Sequence, residues 1–412
     1  MATIRPFLAL RPTRDRVAAV VAPPYDVVDT AEARALAAGN PDSFLHVSRP
    51  EIDLPDGTDP HTDEVYAAGA TALADLVARG VLVPDAAPGL LVYRQRTDLP
   101  GVGPVSQTGV VGCASVADYT SGVIATHEHT RPDKETDRTR HIAALAAHDE
   151  PVFLMYRPDA PGADAVAEVL AGVTARAPEY DLVTDDGVAH TLWTVDDAEA
   201  ATLVAAFGRM PTLYVSDGHH RSAAAARVAA DRPTPGAQEF PVVVFPAGEL
   251  TILAYNRVVT DLAGHDAGSL LAALAADFDV VLAADAPAPA RHEVGLYLAG
   301  QWYLLSARPD VVDEADPIAR LDVSVLQDRV LGPLLGIADP RTDARIAFVG
   351  GIRGTAELAR LVDEGSHAVA FALHPTSPEE VMDVADQGLD MPPKSTWFEP
   401  KLRSGFFVHP ID

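Results

Sequence analysis

The residues that concentrate the most chemistry are Asp217-Gly218-His219-His220-Arg221-Ser222, set between an apolar run, Leu213-Tyr214-Val215, and an alanine-rich stretch that opens at Ala223. The pattern predicts a strand, a tight turn and a helix. Such a turn aims the unpaired amide N–H groups of the first helical turn, and the positive end of the helix dipole, at whatever lies above the strand. An anion belongs there. His219, His220 and Arg221 add positive or proton-donating side chains, Gly218 lets a ligand approach the backbone, and Asp217 is suited to hold a metal ion or accept a proton. We read the turn as a phosphate site; the plainer alternative is an Asp217 that caps the helix beside two solvated histidines.

Only three of the 31 basic residues are lysines, Lys134, Lys394 and Lys401. A flexible ammonium is physically unlike a planar guanidinium, so these positions draw attention in an arginine-rich chain. Lys134 lies in the densest polar run, His127 to Arg138. We read that run as a loop bringing Glu128, His129, Arg131 and Lys134 to the phosphate of the Asp217 turn, followed by a helix over 139–147. Arg138 is a further phosphate candidate, with a plain ion pair to Asp137 as the competing reading. The spacing of His127 and His129 is not that of a helical zinc pair, which leaves metal-assisted hydrolysis around His127, Glu128 and His129 as the weakest alternative. The run Gly388 to Ser395 resembles a P-loop, but Pro393 removes an amide where the phosphate cradle needs one. Lys394 and Ser395 are kept as phosphate candidates on a rigid Pro-Pro loop. The glycines of Gly350-Gly351-Ile352-Arg353-Gly354 are explained by close packing.

Elements must position these groups. Helices are expected over about 30–38, 63–79, 163–174, from 197 and over 378–386, with strands over 90–96, 110–116, 152–156, 191–195, 242–245 and 368–373, and a hairpin around Ala299-Gly300. This is an α+β chain of mixed sheets and helices. A boundary near residue 258 divides it into 1–258, carrying the turn, and 259–412, a smaller C-terminal α/β unit carrying the Lys394 loop. At 412 residues and 48% hydrophobic the chain has ample material for such cores. The longest apolar stretches are strand-sized and the N-terminus lacks an apolar leader core, so the expectation is no membrane and a cytoplasmic location. A lone Cys113 in an apolar run excludes an intramolecular disulfide and a cysteine zinc cage. A net charge of −28 opposes nonspecific nucleic-acid binding and favours a small ligand.

Four ordered motifs carry a resemblance: Pro23-Pro24-Tyr25-Asp26; His127-Glu128 with Thr130, Asp137 and Arg138; Tyr214 with Asp217-Gly218-His219-His220-Arg221; and Pro393-Lys394-Ser395-Thr396 with Lys401 and Gly405. Together they resemble the bacterial and archaeal domain of unknown function 1015 family, over nearly the whole chain. Gly218-His219-His220-Arg221 is also similar to the phosphate-binding turn of the ParB/sulfiredoxin-like superfamily, which includes sulfiredoxins, nucleotide-switching partition proteins and kinases of free serine. Sulfiredoxins carry a reactive cysteine where this chain has His219, and partition proteins need a basic DNA-binding domain. The resemblance therefore implies a ParB/sulfiredoxin-like core and the kinase branch: a nucleotide-dependent phosphotransferase acting on a small hydroxyl metabolite, with free L-serine the leading candidate. Such a reaction needs ATP or ADP with Mg²⁺. Gly218, His219, His220, Arg221, Arg131, Lys134, Arg138, Lys394 and Ser395 are the expected phosphate ligands, and Asp217 the metal ligand. Glu128, Asp217 and His220 are the expected catalytic residues, Glu128 as base with Asp26 competing. The alternative is a non-catalytic module that binds a nucleotide or phosphorylated metabolite.

Overall fold

The computed structural model describes residues 1–412, which form two compact units. The first holds Met1–Thr97, Ser106–Leu250 and Pro400–Asp412; the second holds Asp98–Val105 and Thr251–Glu399. The division falls after Leu250 instead of residue 258, because Tyr255–Val259 is a strand of the second unit's sheet. The C-terminal residues depart further from expectation, since Pro400–Asp412 return to the first unit.

The sheet of the first unit is made by β1 (Ile4–Arg5), β2 (Leu91–Leu99), β3 (Gly103–Ser115), β4 (Ile124–Ala125), β5 (Val152–Tyr156), β6 (Tyr180–Val183), β7 (Ala189–Thr194), β8 (Leu213–Asp217) and β9 (Glu239–Pro246), with the tip of the β2–β3 hairpin, Asp98–Val105, assigned to the second unit. Their order is β4-β8-β5-β9-β3-β2-β7-β6, with β1 beside β3. The sheet is mixed: β8 is parallel to β4 and β9 to β5, whereas β8 is antiparallel to β5 and β9 to β3. The central strands β5, β8 and β9 are near-continuous apolar runs because both faces are covered. The longer helices of the unit are α1 (Thr30–Ala37), α2 (Asp63–Ala78), α3 (Pro132–Leu145), α4 (Ala163–Thr174), α5 (Asp197–Phe207) and α6 (His219–Asp231). Val166, Leu170, Val173, Leu203 and Phe207 of α4 and α5 share a core with Leu154, Val215 and Val244 of the sheet. Each such side chain contributes roughly 1.5–3 kcal/mol by leaving water. A separate cluster, Ile142 of α3 with Ala224 and Val228 of α6, is closed by Ile411 of the returning C-terminus. That cluster fixes α3 against α6.

One boundary differs in a way that matters. Helix α3 begins at Pro132, not near residue 139, so Lys134, Asp137 and Arg138 stand on a helix and not in a loop. Proline at the first helical position has no amide to satisfy and a φ already suited to helix, and Asp133 and Glu135 favour the positive helix end.

The second unit is also α+β. Its strands β10 (Tyr255–Val259), β11 (Phe278–Ala283), β12 (Glu293–Leu298), β13 (Gln301–Ala307), β14 (Ile346–Gly350) and β15 (Val369–Leu373) form a sheet in the order β11-β13-β12-β15-β10-β14, antiparallel throughout. The β12–β13 connection is the expected tight turn, with positive φ at both Ala299 and Gly300. Gly350 and Gly351 do serve close packing: a Cβ would lie 2.3 Å from the Trp397 ring at the first and 2.9 Å from the Ala254 carbonyl at the second. No helix of the chain is long and apolar enough to cross a membrane.

Candidate anion site in the first unit

Strand β8 ends at Asp217, and Gly218 turns the chain with φ 94° and ψ 28°, a left-handed conformation that side chains strain to adopt. A Cβ on Gly218 would also lie 3.2 Å from the Arg221 guanidinium carbon, so glycine is required by backbone and packing alike. The first amide bound into α6 is that of Ser222, which donates to the Gly218 carbonyl at 2.9 Å. Those of His219, His220 and Arg221 precede any intrahelical acceptor. Asp217 does not cap this helix, which has no side-chain cap. Its two carboxylate oxygens accept instead from Arg221 NH2 at 2.7 Å and Lys401 Nζ at 2.9 Å.

Lys401 arrives from the far end of the chain, and the sheet aims it. Two buried glutamines hold the carbonyls around it: Gln95 Nε2 of β2 donates to the Lys401 carbonyl at 2.7 Å, and Gln107 Nε2 of β3 to that of Pro400 at 3.1 Å. Ser404 then bridges to Ala22, just before the Pro23-Pro24-Tyr25-Asp26 turn. That turn brings Asp26 Oδ2 within 3.9 Å of Arg221 NH2, with 41% of the Asp26 side chain exposed.

The polar run 127–138 converges on the same turn. The Arg131 amide donates to His220 Nε2 at 3.1 Å, the rings of His127 and His219 meet edge to face at 4.4 Å, and Glu128 Oε2 lies 4.0 Å from His219 Nδ1. Lys134 is in the first turn of α3, and its charge acts on His220 together with those of Arg131 and Arg221. Arg131 forms an ion pair with Asp133. Arg138 sits behind the site: it is buried, bound to Asp137 at 2.9 Å and stacked 3.9 Å from the Tyr25 ring, so the ion pair anticipated for it is present. Lys394 and Ser395 belong to the second unit. There Lys394 has a φ of 59° with Nζ 5.6 Å from the centre of the Tyr255 ring, and the Ser395 hydroxyl donates to the Pro392 carbonyl.

Charge states follow from this packing. Burial works to raise the Asp217 pKa, but Lys401 and Arg221 outweigh it and hold the carboxyl well below its ordinary range. Burial likewise opposes the charge of Arg221, and Asp217, Asp26 and Glu150 more than restore it. His219 is pushed well down by burial and by neighbouring His127, which burial itself lowers to about 4. Burial also lowers His220, helped by Arg131, Lys134 and Arg221 and resisted by Asp26. A neutral His220 that accepts at Nε2 carries its proton on Nδ1, as a hydrogen-bond donor.

Sequence reasoning missed Lys401 as a site member and missed Glu150 altogether. The rarity of lysine was a usable signal for the first. The second had none, because Glu150 joins the site only through partners at residues 25, 221 and 404.

The fold and site define an α+β protein with an anion-complementary helix start. The chain belongs to the family described as protein of unknown function (DUF1015), whose sequence model matches residues 4–324. No curated protein matches the sequence. Among solved structures, the chain is similar to a free serine kinase in complex with AMP, at 12% identity and a TM-score of 0.34, over 70% of this chain and 86% of that one. It is also similar to SbnI with C-terminal truncation from Staphylococcus aureus, at 12% identity and a TM-score of 0.38 over 72% and 85% of the two chains. A conserved hypothetical protein from Pyrococcus furiosus matches at 13% identity and a TM-score of 0.32, over 70% and 90%.

Proposed function

We propose that the chain is a nucleotide-dependent phosphotransferase acting on a small hydroxyl metabolite, with free L-serine the first candidate. The observation that carries the proposal is Asp217 held between Arg221 and Lys401 at an uncapped helix start. The turn already accommodates anionic oxygens, supplied by the protein itself. Phosphoryl transfer is catalysed chiefly by positioning and by neutralising charge on the moving group. Arg221, Lys401, Lys134 and the first amides of α6 would supply that charge, with Arg131, His219 and His220 as further donors to the phosphates. All the residues assigned here belong to the first unit.

Mg²⁺ would arrive with the nucleotide phosphates and would supply charge neutralisation there. Such ions are commonly held by one or two carboxylates plus substrate oxygens. Asp217 fits that part, since its carboxyl stays ionised over the whole physiological range. Glu128 is the proposed base that takes the acceptor hydroxyl proton; its side chain is 57% exposed and stands beside His219. Asp26, beside Arg221, is the second candidate.

The test is incubation with ATP or ADP, Mg²⁺ and a panel of hydroxyl metabolites including L-serine, followed by phosphorus NMR. A phosphomonoester that is lost in Glu128→Gln or Asp26→Asn supports the proposal and identifies the base. No product across the panel refutes it. One observation favours a second reading, a non-catalytic nucleotide or phospho-metabolite binder: both Asp217 oxygens are already committed to cations. That reading expects saturable binding and thermal stabilisation without product.

A further inference from the structure

Behind the anion site, and outside the chemistry assigned above, lies a buried carboxylate that touches three separate segments of the chain. Glu150 follows directly on the Asp149 that pairs with His141 of α3, and only 2% of its side chain is exposed. Oε1 accepts from the Tyr25 amide at 2.9 Å and from the Ser404 hydroxyl at 2.7 Å. It thereby ties the turn that presents Asp26 to the C-terminal return that presents Lys401. Oε2 has no hydrogen-bond partner and faces Arg221 Nε, also without one, at 3.9 Å. Buried polar atoms left in this way are uncommon and costly, and they recur where a protein keeps a functional group. Glu150 and Arg221 line one small cavity of about 10 Å³ with Arg138, His148 and Asp149. Arg221 itself is fixed from below by the Pro151 carbonyl.

We propose that Glu150 is the positioning residue of the anion site: it docks the Tyr25 and Ser404 segments onto Arg221, and it exchanges a proton when an anion binds on the other side of that guanidinium. The proposal rests on the anion-site reading above. The groups facing Glu150 are Arg221 of α6, Arg138 of α3, Asp26 and Tyr25 of the first turn, Ser404 of the C-terminal return, and its neighbours His148 and Asp149, the last of which pairs with His141. Burial pushes the Glu150 carboxyl up to about 7; Arg221 opposes this, while Asp149 and Asp26 add to it. An anion held by Arg221 weakens that guanidinium's hold on a Glu150 negative charge and favours the protonated carboxyl further. Anion binding and protonation of Glu150 therefore reinforce each other, and affinity must fall as pH rises through the range where Glu150 ionises.

Inorganic sulfate is the probe, because its own charge is constant over this range. Calorimetry of sulfate binding between pH 6.5 and 8.5 should show the dissociation constant rising with pH, by about tenfold for each unit by which the anion raises the Glu150 pKa. Glu150→Gln keeps an acceptor for Tyr25 and Ser404 but cannot ionise. It should bind sulfate at pH 8.5 about as tightly as the unaltered protein does at pH 6.5, with a flat profile. A merely structural role would weaken binding equally at every pH and leave the slope in place, which overturns the proposal. If Glu150→Gln does not fold, proton uptake decides: titrations of the unaltered protein at pH 7.5 in two buffers of different ionisation enthalpy must show net uptake, and none overturns it. Absence of sulfate binding at any pH overturns the anion-site reading itself. Binding without the Glu150-dependent slope overturns only the role of Glu150.

Discussion

Arg221 is the residue on which most of the site's geometry depends, since it contacts Asp217, approaches Asp26 and Glu150, and is held by the Pro151 carbonyl. Arg221→Ala should weaken phosphate binding by about 1.5–3 kcal/mol, the worth of a hydrogen bond to a charged group, and Arg221→Lys should restore it only in part. Calorimetry with pyrophosphate checks both; equal affinities for the three proteins would refute the assignment. Lys401 gives a second expectation. Lys401→Met removes a cation from Asp217 and leaves that carboxylate less neutralised beside the incoming anion, so pyrophosphate affinity should fall while the fold survives. Unchanged affinity would exclude Lys401 from the site. Arg221 was legible in the sequence because it lies within one turn of Gly218. Lys401 was legible as an unusual residue but not as a partner of Asp217, because contacts distant in sequence, those of Gln95 and Gln107 among them, bring it there.

At the level of elements, the β8–Gly218–α6 unit was readable because three local signals agree: an apolar run, a glycine at the break and alanines beyond it. The start of α3 was not, because the polar residues 133–138 carry no apolar periodicity, and Pro132 with the acidic Asp133 and Glu135 were the only local markers. What holds those residues in a helix is tertiary, the packing of Ile142 against Ala224 and Val228. The consequence for function is direct, since a helical Lys134 has a fixed direction that a loop would not give it. Gly218→Ala tests the β8–α6 junction. It imposes a left-handed conformation on alanine at about 1–2 kcal/mol and presses a methyl group against the Arg221 guanidinium. Both the melting temperature and pyrophosphate affinity should fall. A variant that melts lower but binds as before would show that the turn is structural only.

Across the whole molecule, the sequence conveyed an α+β chain but not the return of its C-terminal residues, because Pro400–Asp412 pairs with residues hundreds of positions away. The same long-range burial sets the response to acid. Burial lowers His127 to about 4 and both His148 and His190 to about 3; each is resisted by a nearby acid, Asp217, Asp149 and Asp186 respectively. An unfolded histidine titrates near ~6.5, so below that pH the unfolded chain takes up protons that the folded chain refuses. Each of these histidines therefore stabilises the fold least in acid, at up to ~1.4 kcal/mol per pH unit between its unfolded and folded pKa values. Glu150 works the other way: raised to about 7, it is protonated when folded and ionised when unfolded, and it favours the fold more as pH falls toward ~4.3. Glu249 and Asp322, raised by burial, act as Glu150 does, whereas His219, His220, His367 and His409, lowered by burial, join the other three and leave the net sign with the histidines. Asp217 and Asp149, both lowered, add their loss only below about 4. The urea midpoint should accordingly fall between pH 7 and pH 5. His190 is the histidine to replace, because it lies outside the anion site, bonded to Tyr93 at 2.6 Å and Thr184 at 3.1 Å. His190→Gln cannot take up that proton, so its midpoint should depend less steeply on pH even if it is lower throughout. A midpoint that does not move between pH 7 and pH 5 in the unaltered protein would refute the excess proton uptake expected of the unfolded chain.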